Sequence, residues 1–353
     1  MNPDCWTREV VAEMLRDEDA AALQQLWRIA DGVRHEQVGD EVHLRGLIEI
    51  SNHCIRECHY CGLRSHNRKI PRYRMSSREV LMAVKSAKEF GYGTVVLQSG
   101  EDPGWNAEDI ETLIGMIKWE TGLAVTLSLG ERSAQEYARW REAGADRVLL
   151  RFETSDRELY QRIHPARKKN PVDRMNHLRV LRELGYEVGS GVMVGIPGQT
   201  FESLADDILL FRDLDFDMIG LGPYIPNPDT PLGSETDPSR TSANQVPATL
   251  GMTFKVLALT RLVRPDANIP STSALAAIDP VEGHRVALSR GANVIMPNLT
   301  PLQYRSSYLI YPGKAYVDEA SRDVHESLLA MFNELGRCMG VGTGARVRPS
   351  VTV

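Results

Sequence analysis

The chain has few cysteines and shows neither an export signal nor a membrane span. Only five cysteines occur among its 353 residues, too few and too scattered for a disulfide framework. The first residues, Met-Asn-Pro-Asp-Cys-Trp, lack the charged start and apolar core of a signal peptide. No apolar run approaches the length that spans a bilayer. The net charge of -6 gives no reason to expect nucleic acid. We therefore expect a cytoplasmic protein with no membrane and no nucleic-acid partner.

Three of the five cysteines stand together. Cys54, Cys58 and Cys61 form a C-x3-C-x2-C run. Three thiolates on one loop would leave one iron of a four-iron cubane without a protein ligand and open to a small molecule. A structural zinc site is the alternative, but it needs a fourth ligand. His53 and His59 each lie directly beside a cysteine, where wrapping one ion is awkward.

Short β-branched runs alternate with amphipathic helical patterns along the chain. The candidate strands are Val42 to Ile50, Thr94 to Gln98, Ala124 to Ser128, Arg147 to Phe152, Glu187 to Val194, Met218 to Gly222, Asn268 to Thr272 and Asn293 to Met296. The helical patterns are Ser77 to Phe90, Ala107 to Glu120, Ser133 to Ala143, Asp173 to Leu184, Phe201 to Leu214, Gln245 to Val263 and Val281 to Arg290. This alternation predicts an α/β fold with a parallel sheet, and eight units predict closure into a complete (β/α)8 TIM barrel.

The barrel leaves a segment at each end of the chain. We assign residues 1–36 to an N-terminal helical segment, with a helix over Asp19 to Asp31. Residues 37–302 form the barrel, and residues 303–353 form a C-terminal extension with a helix at about Arg322 to Met339. In such barrels the chemistry lies at the carboxyl ends of the strands, so the polar residues that follow each strand are candidates for the site.

The cysteine run, with the aromatic Tyr60 before its last cysteine, resembles the signature loop of the radical S-adenosylmethionine (SAM) enzymes. The resemblance implies one [4Fe-4S] cluster bound by Cys54, Cys58 and Cys61, with SAM chelated to its open iron. It also implies that an electron from the reduced cluster cleaves SAM and releases a 5'-deoxyadenosyl radical. The protein's task is then to position the reactants and exclude water.

Longer motifs resemble one family within these enzymes, the HydE type of [FeFe]-hydrogenase maturase, which is related to biotin synthase and methylornithine synthase. The resemblance covers about residues 25 to 315. The motifs are Arg45 to Asn52, Leu97 to Pro103, Thr126 to Glu131, Met193 to Thr200, Pro226 to Pro231, Asn293 to Asn298 and Tyr311 to Lys314.

The resemblance implies contacts to SAM. The segment Ser99-Gly100-Glu101-Asp102 resembles the motif that grips the methionine amine, and Glu153 and Arg174 resemble the polar and carboxylate contacts. Opposite charges suit the two ends of a zwitterion. The residues that resemble those around the adenosine are Tyr60, Met193, Met296 and Tyr304. Arg174 could instead be a surface residue, and Glu153 could pair with Arg151 or Arg147.

The resemblance also implies a substrate inside the barrel. By position, the residues expected to face it are Gln98, Ser99, Thr126, Arg147, Thr272 and Ser273. A buried arginine is costly unless its charge is met. Arg147 therefore indicates either an anionic ligand or an internal ion pair with Glu153, and both readings stay open.

One departure from the family concerns a second cluster. Many relatives carry three more cysteines after the Tyr-Pro-Gly-Lys segment, whereas Ala315 to Met331 contains none. We therefore predict a single cluster. The resemblance implies an organometallic substrate on the route to the hydrogenase cofactor, an electron donor such as a ferredoxin or flavodoxin, and other hydrogenase maturases as partners. A methylornithine synthase-like enzyme acting on an amino acid or thiazolidine-type compound, and a non-catalytic metal-binding protein, remain alternatives.

Overall fold

Eight parallel strands close into a barrel. The computed structural model describes residues 5–165, 173–234 and 242–348. The strands are β1 (Glu41–Ser51), β2 (Thr94–Ser99), β3 (Ala124–Ser128), β4 (Arg147–Leu149), β5 (Glu187–Val194), β6 (Met218–Pro223), β7 (Pro270–Ser271), β8 (Val294–Ile295) and β9 (Cys338–Met339). Strands β1 to β8 pair in chain order, and β1 also pairs with β2 and β8, which closes the ring. The predicted (β/α)8 barrel is confirmed.

Helices surround the barrel and extend it at both ends. They are α1 (Arg8–Arg16), α2 (Ala20–Val38), α3 (Ser77–Glu89), α4 (Ala107–Thr121), α5 (Ala134–Glu142), α6 (Arg157–Ile163), α7 (Arg174–Glu183), α8 (Phe201–Asp213), α9 (Pro231–Ser234), α10 (Leu250–Val263), α11 (Ser273–Ile278), α12 (Gly283–Leu288), α13 (Leu302–Arg305) and α14 (Ser321–Glu334). In the described part of the chain, none is long and apolar enough to cross a membrane.

Local sequence signals set several helix boundaries. The Ser76 hydroxyl accepts the Glu79 backbone N–H while the Glu79 carboxylate accepts the Ser76 N–H, a reciprocal cap that starts α3. Ser133 and Glu136 start α5 in the same way. Gly122 ends α4 with a φ of 71°, a left-handed conformation that glycine adopts without strain.

The main hydrophobic core lies between the strands and the helices. Along β2, Val95 and Leu97 are fully buried in this core, whereas Gln98 faces the barrel interior. This arrangement follows from the alternation of side chains on a strand. The outward side chains therefore pack against the helices, and the inward side chains near the carboxyl ends of the strands can form a site.

The N-terminal helices pack on helices outside the barrel, and the C-terminal strand and tail lie at the amino-terminal ends of the barrel strands. Helix α1 packs on α8, and α2 packs on α10. Strand β9 adds to the start of β1 in parallel, Glu41 opposite Cys338. After β9 the C-terminal tail, residues 340–348, runs beneath the amino-terminal ends of the strands. There the Thr343 carbonyl accepts a hydrogen bond from the Thr94 hydroxyl at 2.8 Å. The tail therefore covers the end of the barrel opposite to the cysteine loop.

Some predicted boundaries were wrong. Helix α10 begins at Leu250 rather than Gln245, because Thr249 provides the cap and the Gln245 amide is bonded to the backbone of the loop after β5. Helix α14 ends at Glu334, and Cys338–Met339, which the prediction placed at the end of that helix, forms β9.

Candidate active site at the mouth of the barrel

A cavity of about 290 Å³ opens at the carboxyl ends of the strands. It is lined by residues from the cysteine loop, from strands β1 to β6, from the segments that follow β7 and β8, and from the segment before α14. The charged residues on its wall are Glu49, Arg151, Glu153, Arg174 and Lys314. A cavity with mostly apolar walls and a few convergent polar groups is typical of a small-molecule site.

The cysteine loop is fixed by backbone hydrogen bonds to three separate parts of the molecule. The Ile55 N–H donates to the Glu101 carbonyl at 3.0 Å, and the His59 N–H donates to the Ile163 carbonyl at 2.9 Å. The Gly62 N–H donates to the Ile310 carbonyl at 2.8 Å. These bonds hold the loop over the end of the barrel, so its three thiols do not depend on a ligand for their position.

Gly100 lets the β2 end approach this loop closely. A Cβ at Gly100 would lie 2.3 Å from the His53 carbonyl oxygen and 2.6 Å from the Cβ of Cys54. Real side chains do not tolerate such distances, so only glycine fits here. The close approach places Ser99 and Gly100 directly beside the first cysteine.

The three thiols share a poorly solvated environment. Burial raises the pKa of all three, and that of Cys58 to about 12, and neighbouring thiolates raise the pKa of Cys58 and Cys61 further. Thiolates gathered in this way need positive charge to stabilise them, which iron supplies. Among the described residues, no three His, Cys, Asp or Glu side chains group around a point that one metal ion could occupy. A cubane does not need such a point, because each thiolate binds a different iron.

A chain of ion pairs links the cysteine loop to the neighbouring strand ends. Arg56, which lies between the first two cysteines, pairs with both Glu101 and Glu131. Glu131 also accepts from Arg174 at 3.0 Å, and Arg174 donates to the Arg151 carbonyl. The carboxylates are buried, so the pairs fix the geometry of the loop at the cost of desolvation. Burial, and then the neighbouring Glu131, raise the pKa of Glu101.

Glu153 has an unusual backbone. Its φ is 66°, in the left-handed region that non-glycine residues rarely adopt. Hydrogen bonds from its N–H to Gly191 and from the Met193 N–H to its carbonyl hold it there. The carboxylate lies 3.0 Å from Arg151, which confirms one of the two partners considered for Glu153. Such strain at a cavity wall is a common mark of a functional residue.

Aromatic and apolar groups form the opposite wall. The Tyr60 hydroxyl lies 2.9 Å from Nε2 of the buried His164, and the two rings meet edge to face. Tyr60 packs against a small apolar cluster that includes Met193 and Tyr224. This wall is suited to a flat, weakly polar ring such as a nucleobase.

Most of the predicted site residues come together around the cavity. Those on its wall are Cys54, Tyr60, Cys61, Gln98, Ser99, Gly100, Glu153, Arg174, Met193, Thr272, Ser273 and Met296. Cys58 lies beside them in the loop. Glu101, Asp102 and Tyr304 lie off the wall, and Asp102 and Tyr304 are bonded to Arg74 and Glu79 respectively.

Arg147 and Thr126 do not lie where the sequence placed them. Arg147 is at the amino-terminal end of the barrel, where it pairs with Glu187 and donates to the Thr343 carbonyl of the C-terminal tail at 3.1 Å. The predicted alternatives for Arg147 were an anionic ligand and a pair with Glu153; the structure gives it Glu187 as its partner instead, so the pair with Glu153 is wrong. Thr126 is fully buried below Ser128, the β3 residue that lines the cavity. Both residues belong to the interior packing of the barrel rather than to the cavity.

Several cavity residues were not assigned a role from the sequence. Arg151 occupies the position expected of Arg147, and Tyr308, Tyr311, Glu49 and Lys314 complete the wall. Lys314 forms an ion pair with Glu49, and burial lowers the pKa of Lys314. The signal in the sequence for these residues was the Tyr-Pro-Gly-Lys motif, Tyr311 to Lys314. Its polar side chains indicate a segment that lines the site.

The barrel and the thiols at its mouth define the class of protein. The model of the radical SAM superfamily matches residues 48–211. The chain is also similar to the crystal structure of methylornithine synthase, with a TM-score of 0.80 and 25% identity over 95% of this chain and 94% of that one. HydG, an [FeFe]-hydrogenase maturase from Carboxydothermus hydrogenoformans, shares the fold with a TM-score of 0.75 and 19% identity, over 94% of this chain and 75% of that one. The protein is a radical SAM enzyme, a class that uses a [4Fe-4S] cluster and SAM.

Comparison with related sequences identifies the family within the radical SAM superfamily. The chain is 45% identical to the [FeFe] hydrogenase maturase subunit HydE of Thermotoga maritima, over 99% of this chain and 96% of the relative. It is 30% identical to the 3-methylornithine synthase of Methanosarcina acetivorans, over 92% of this chain and 87% of that protein. The chain belongs to the HydE family of the radical SAM superfamily.

Proposed function

We propose that this enzyme acts in the maturation of [FeFe] hydrogenase, with Cys54, Cys58 and Cys61 as the three protein ligands of one [4Fe-4S] cluster. The observation that carries the proposal is the set of three thiols on a fixed loop beside the cavity at the mouth of the barrel. When bound, the cluster supplies the electron that cleaves SAM to a 5'-deoxyadenosyl radical. The high identity to a HydE maturase supports the pathway.

The cavity wall divides into a region for SAM and a region for substrate. Near the cysteine loop, Ser99, Gly100 and Glu153 offer acceptors for the amine of SAM, and Arg174 offers a guanidinium for its carboxylate. Tyr60, Met193 and Met296 provide the flat and apolar surfaces for adenosine.

The rest of the wall is left for the substrate. Gln98, Thr272 and Ser273 offer a side-chain amide and hydroxyls there, and the Ser273 hydroxyl lies 3.0 Å from that of Tyr311. Arg151 adds a cation between the two regions. These residues orient the substrate and keep water out, and none has to move a proton in the radical step. The partners proposed are an electron donor such as a ferredoxin or flavodoxin, and the other hydrogenase maturases.

Cysteine variants test the cluster assignment. We expect anaerobically reconstituted protein to bind about four irons, and to form 5'-deoxyadenosine from SAM and dithionite. Replacing Cys54, Cys58 or Cys61 by alanine should abolish both. Replacing the exposed Cys5 or Cys338 should change neither, which provides a matched control. Full iron content in any one of the three loop variants would refute the ligation.

A deletion strain tests the pathway. Loss of the gene should abolish [FeFe]-hydrogenase activity, and the intact chain should restore it. The similarity to methylornithine synthase in sequence and fold favours a second candidate, an enzyme acting on a free amino acid. Unchanged hydrogenase activity in the deletion strain, together with SAM cleavage by the purified protein, would favour that candidate.

A further inference from the structure

Two charged residues on the cavity wall have no role in the assignment above. Glu49 lies near the end of β1, and Lys314 lies in the segment before α14. The Lys314 ammonium is 2.5 Å from both oxygens of the Glu49 carboxylate. A buried ion pair is expensive to desolvate and is weak evidence for stability by itself. Because the pair lies on the wall of the proposed substrate cavity, we expect it to have a functional role.

Glu49 is held in place without Lys314. Its Oε2 accepts from the Asn298 amide at 3.1 Å, and the Thr300 hydroxyl lies 3.5 Å away. The Thr300 hydroxyl also accepts the Glu49 backbone N–H at 2.8 Å. Because these contacts come from the segment after β8, the carboxylate stays fixed when the ammonium shifts.

Lys314 has bonding capacity left. An ammonium group carries three N–H donors. Two of them are directed to Glu49, and the remaining contact is a long one of 3.5 Å to the Tyr308 carbonyl. The ammonium also lies 5.0 Å from the centre of the Tyr308 ring, a favourable but undirected contact. One donor is therefore available to a ligand in the cavity.

The ammonium is also the more accessible pole of the pair. The Lys314 side chain is 9% exposed, against 2% for Glu49. Glu49 lines the cavity as well, but it is the less exposed of the two, so the ammonium is the group that a ligand in the cavity reaches first.

We propose that Lys314 binds an anionic group of the substrate, a carboxylate or a comparably small anion, and that Glu49 holds the ammonium in place until the substrate arrives. The inference rests on the proposed function and adds the substrate's charge to it. Lys314 is then a binding residue that sets specificity for charge, and Glu49 is a positioning residue that acts through it.

A binding experiment on the cluster-free chain tests this directly. Acetate is the probe, because it is a carboxylate small enough for the cavity, and methylammonium is the probe of opposite charge. The melting temperature is measured against probe concentration at fixed ionic strength, since a ligand that binds only the folded state raises it. We expect acetate to raise the melting temperature of the wild type and methylammonium to leave it unchanged.

Charge variants distinguish anion binding by Lys314 from a purely structural ion pair with Glu49. Glu49→Gln frees the ammonium from its counter-ion, so acetate should bind at least 5-fold more tightly. The double variant Glu49→Gln/Lys314→Met leaves no buried lone charge, should fold, and should lose the response to acetate. Lys314→Arg should keep it. Lys118→Met, which removes a lysine paired with Asp146 away from the cavity, is the matched control and should respond like the wild type.

Each other outcome overturns the inference. A wild type without a response to acetate, an equal response in the double variant, or no tightening in Glu49→Gln would each reduce the pair to a structural contact. The proposed function is tested separately, by 5'-deoxyadenosine formation in the reconstituted wild type. If that reaction succeeds while the acetate experiment fails, only the role of Lys314 is lost.

Discussion

The buried carboxyl of Asp207 makes a sharp prediction about stability and pH. Asp207 lies on α8, fully buried, and its Oδ1 accepts from both the backbone N–H and the hydroxyl of Ser155. Its Oδ2 has no hydrogen-bond partner. Burial raises the pKa of Asp207 from 3.8 to about 7. The Ser155 contact anchors the segment that follows Glu153, so this carboxyl supports the cavity wall from outside.

The direction of the effect follows from linkage. Since the folded pKa is raised, the folded state holds a proton that the unfolded state has lost between pH 3.8 and about pH 7. The contribution to stability is present below pH 3.8 and is lost as the pH rises to about 7. Each pKa unit corresponds to about 1.4 kcal/mol, so the loss over two units, from about pH 5 to about pH 7, is about 3 kcal/mol.

Asp207→Asn should remove this dependence. The variant keeps an oxygen for Ser155 and carries no charge, so it should be more stable than the wild type at pH 8. The difference in free energy of unfolding between variant and wild type should grow by about 3 kcal/mol from pH 5 to pH 8. Urea denaturation at several pH values measures it. Asp213→Asn, on the same helix but 54% exposed, should show no such trend. A difference for Asp207→Asn that stays constant over this range would refute the argument.

Three further predictions concern the loop, the tail and a histidine. Gly100→Ala should block iron incorporation while the chain still folds, because its Cβ would collide with the cysteine loop. Gly115→Ala places its Cβ in open space and should incorporate iron normally. Full iron content in Gly100→Ala would contradict this prediction. Arg346→Met should lower the free energy of unfolding by about 3 kcal/mol, because it removes the buried guanidinium that bridges Asp217 and Asp266, and the half-exposed Arg348→Met by less than about 1 kcal/mol; equal losses in denaturant titrations would contradict the burial argument. Burial lowers the pKa of His284 to about 4, so the stability it contributes as a neutral ring is lost as the pH falls from 6.5 toward 4, and His284→Gln should flatten that part of the stability curve; an unchanged curve would contradict it.

The position of an arginine illustrates the limit of sequence reasoning. Arg147 and Arg151 are four residues apart along the β4 segment, and a strand repeats every two residues, so alternation places both on the inner face. They differ in depth by about 13 Å at about 3.3 Å per residue. Only the closed barrel shows that Arg151 reaches the cavity and that Arg147 meets the C-terminal tail at the other end.

The position of the C-terminal tail could not be predicted from local sequence patterns either. Its Gly340 N–H donates to the Val42 carbonyl of β1, and its carbonyls accept from side chains at the amino-terminal ends of several strands. These contacts join residues that are far apart in the chain, and no periodicity in residues 340–348 predicts them. The end of the segment predicted as a C-terminal extension therefore closes the barrel from below.

The sequence by itself determined the features that depend on neighbouring residues. The alternation of apolar and polar side chains set the strands and helices, and the spacing of Cys54, Cys58 and Cys61 brought three thiols onto one loop, because only six residues lie between the first and the last of them. The order of the strands then placed the segments after each strand at one end of the barrel.

The tertiary structure decided which distant residues meet. Glu49 and Lys314 are 265 positions apart and form an ion pair on the cavity wall, and Tyr60 meets His164 at the end of α6. Such pairs depend on how the barrel closes and on where the segment after β8 crosses its mouth. The physical reason is that closure fixes the depth and direction of every inward side chain at once, whereas the sequence fixes only which face of its own strand or helix each one occupies.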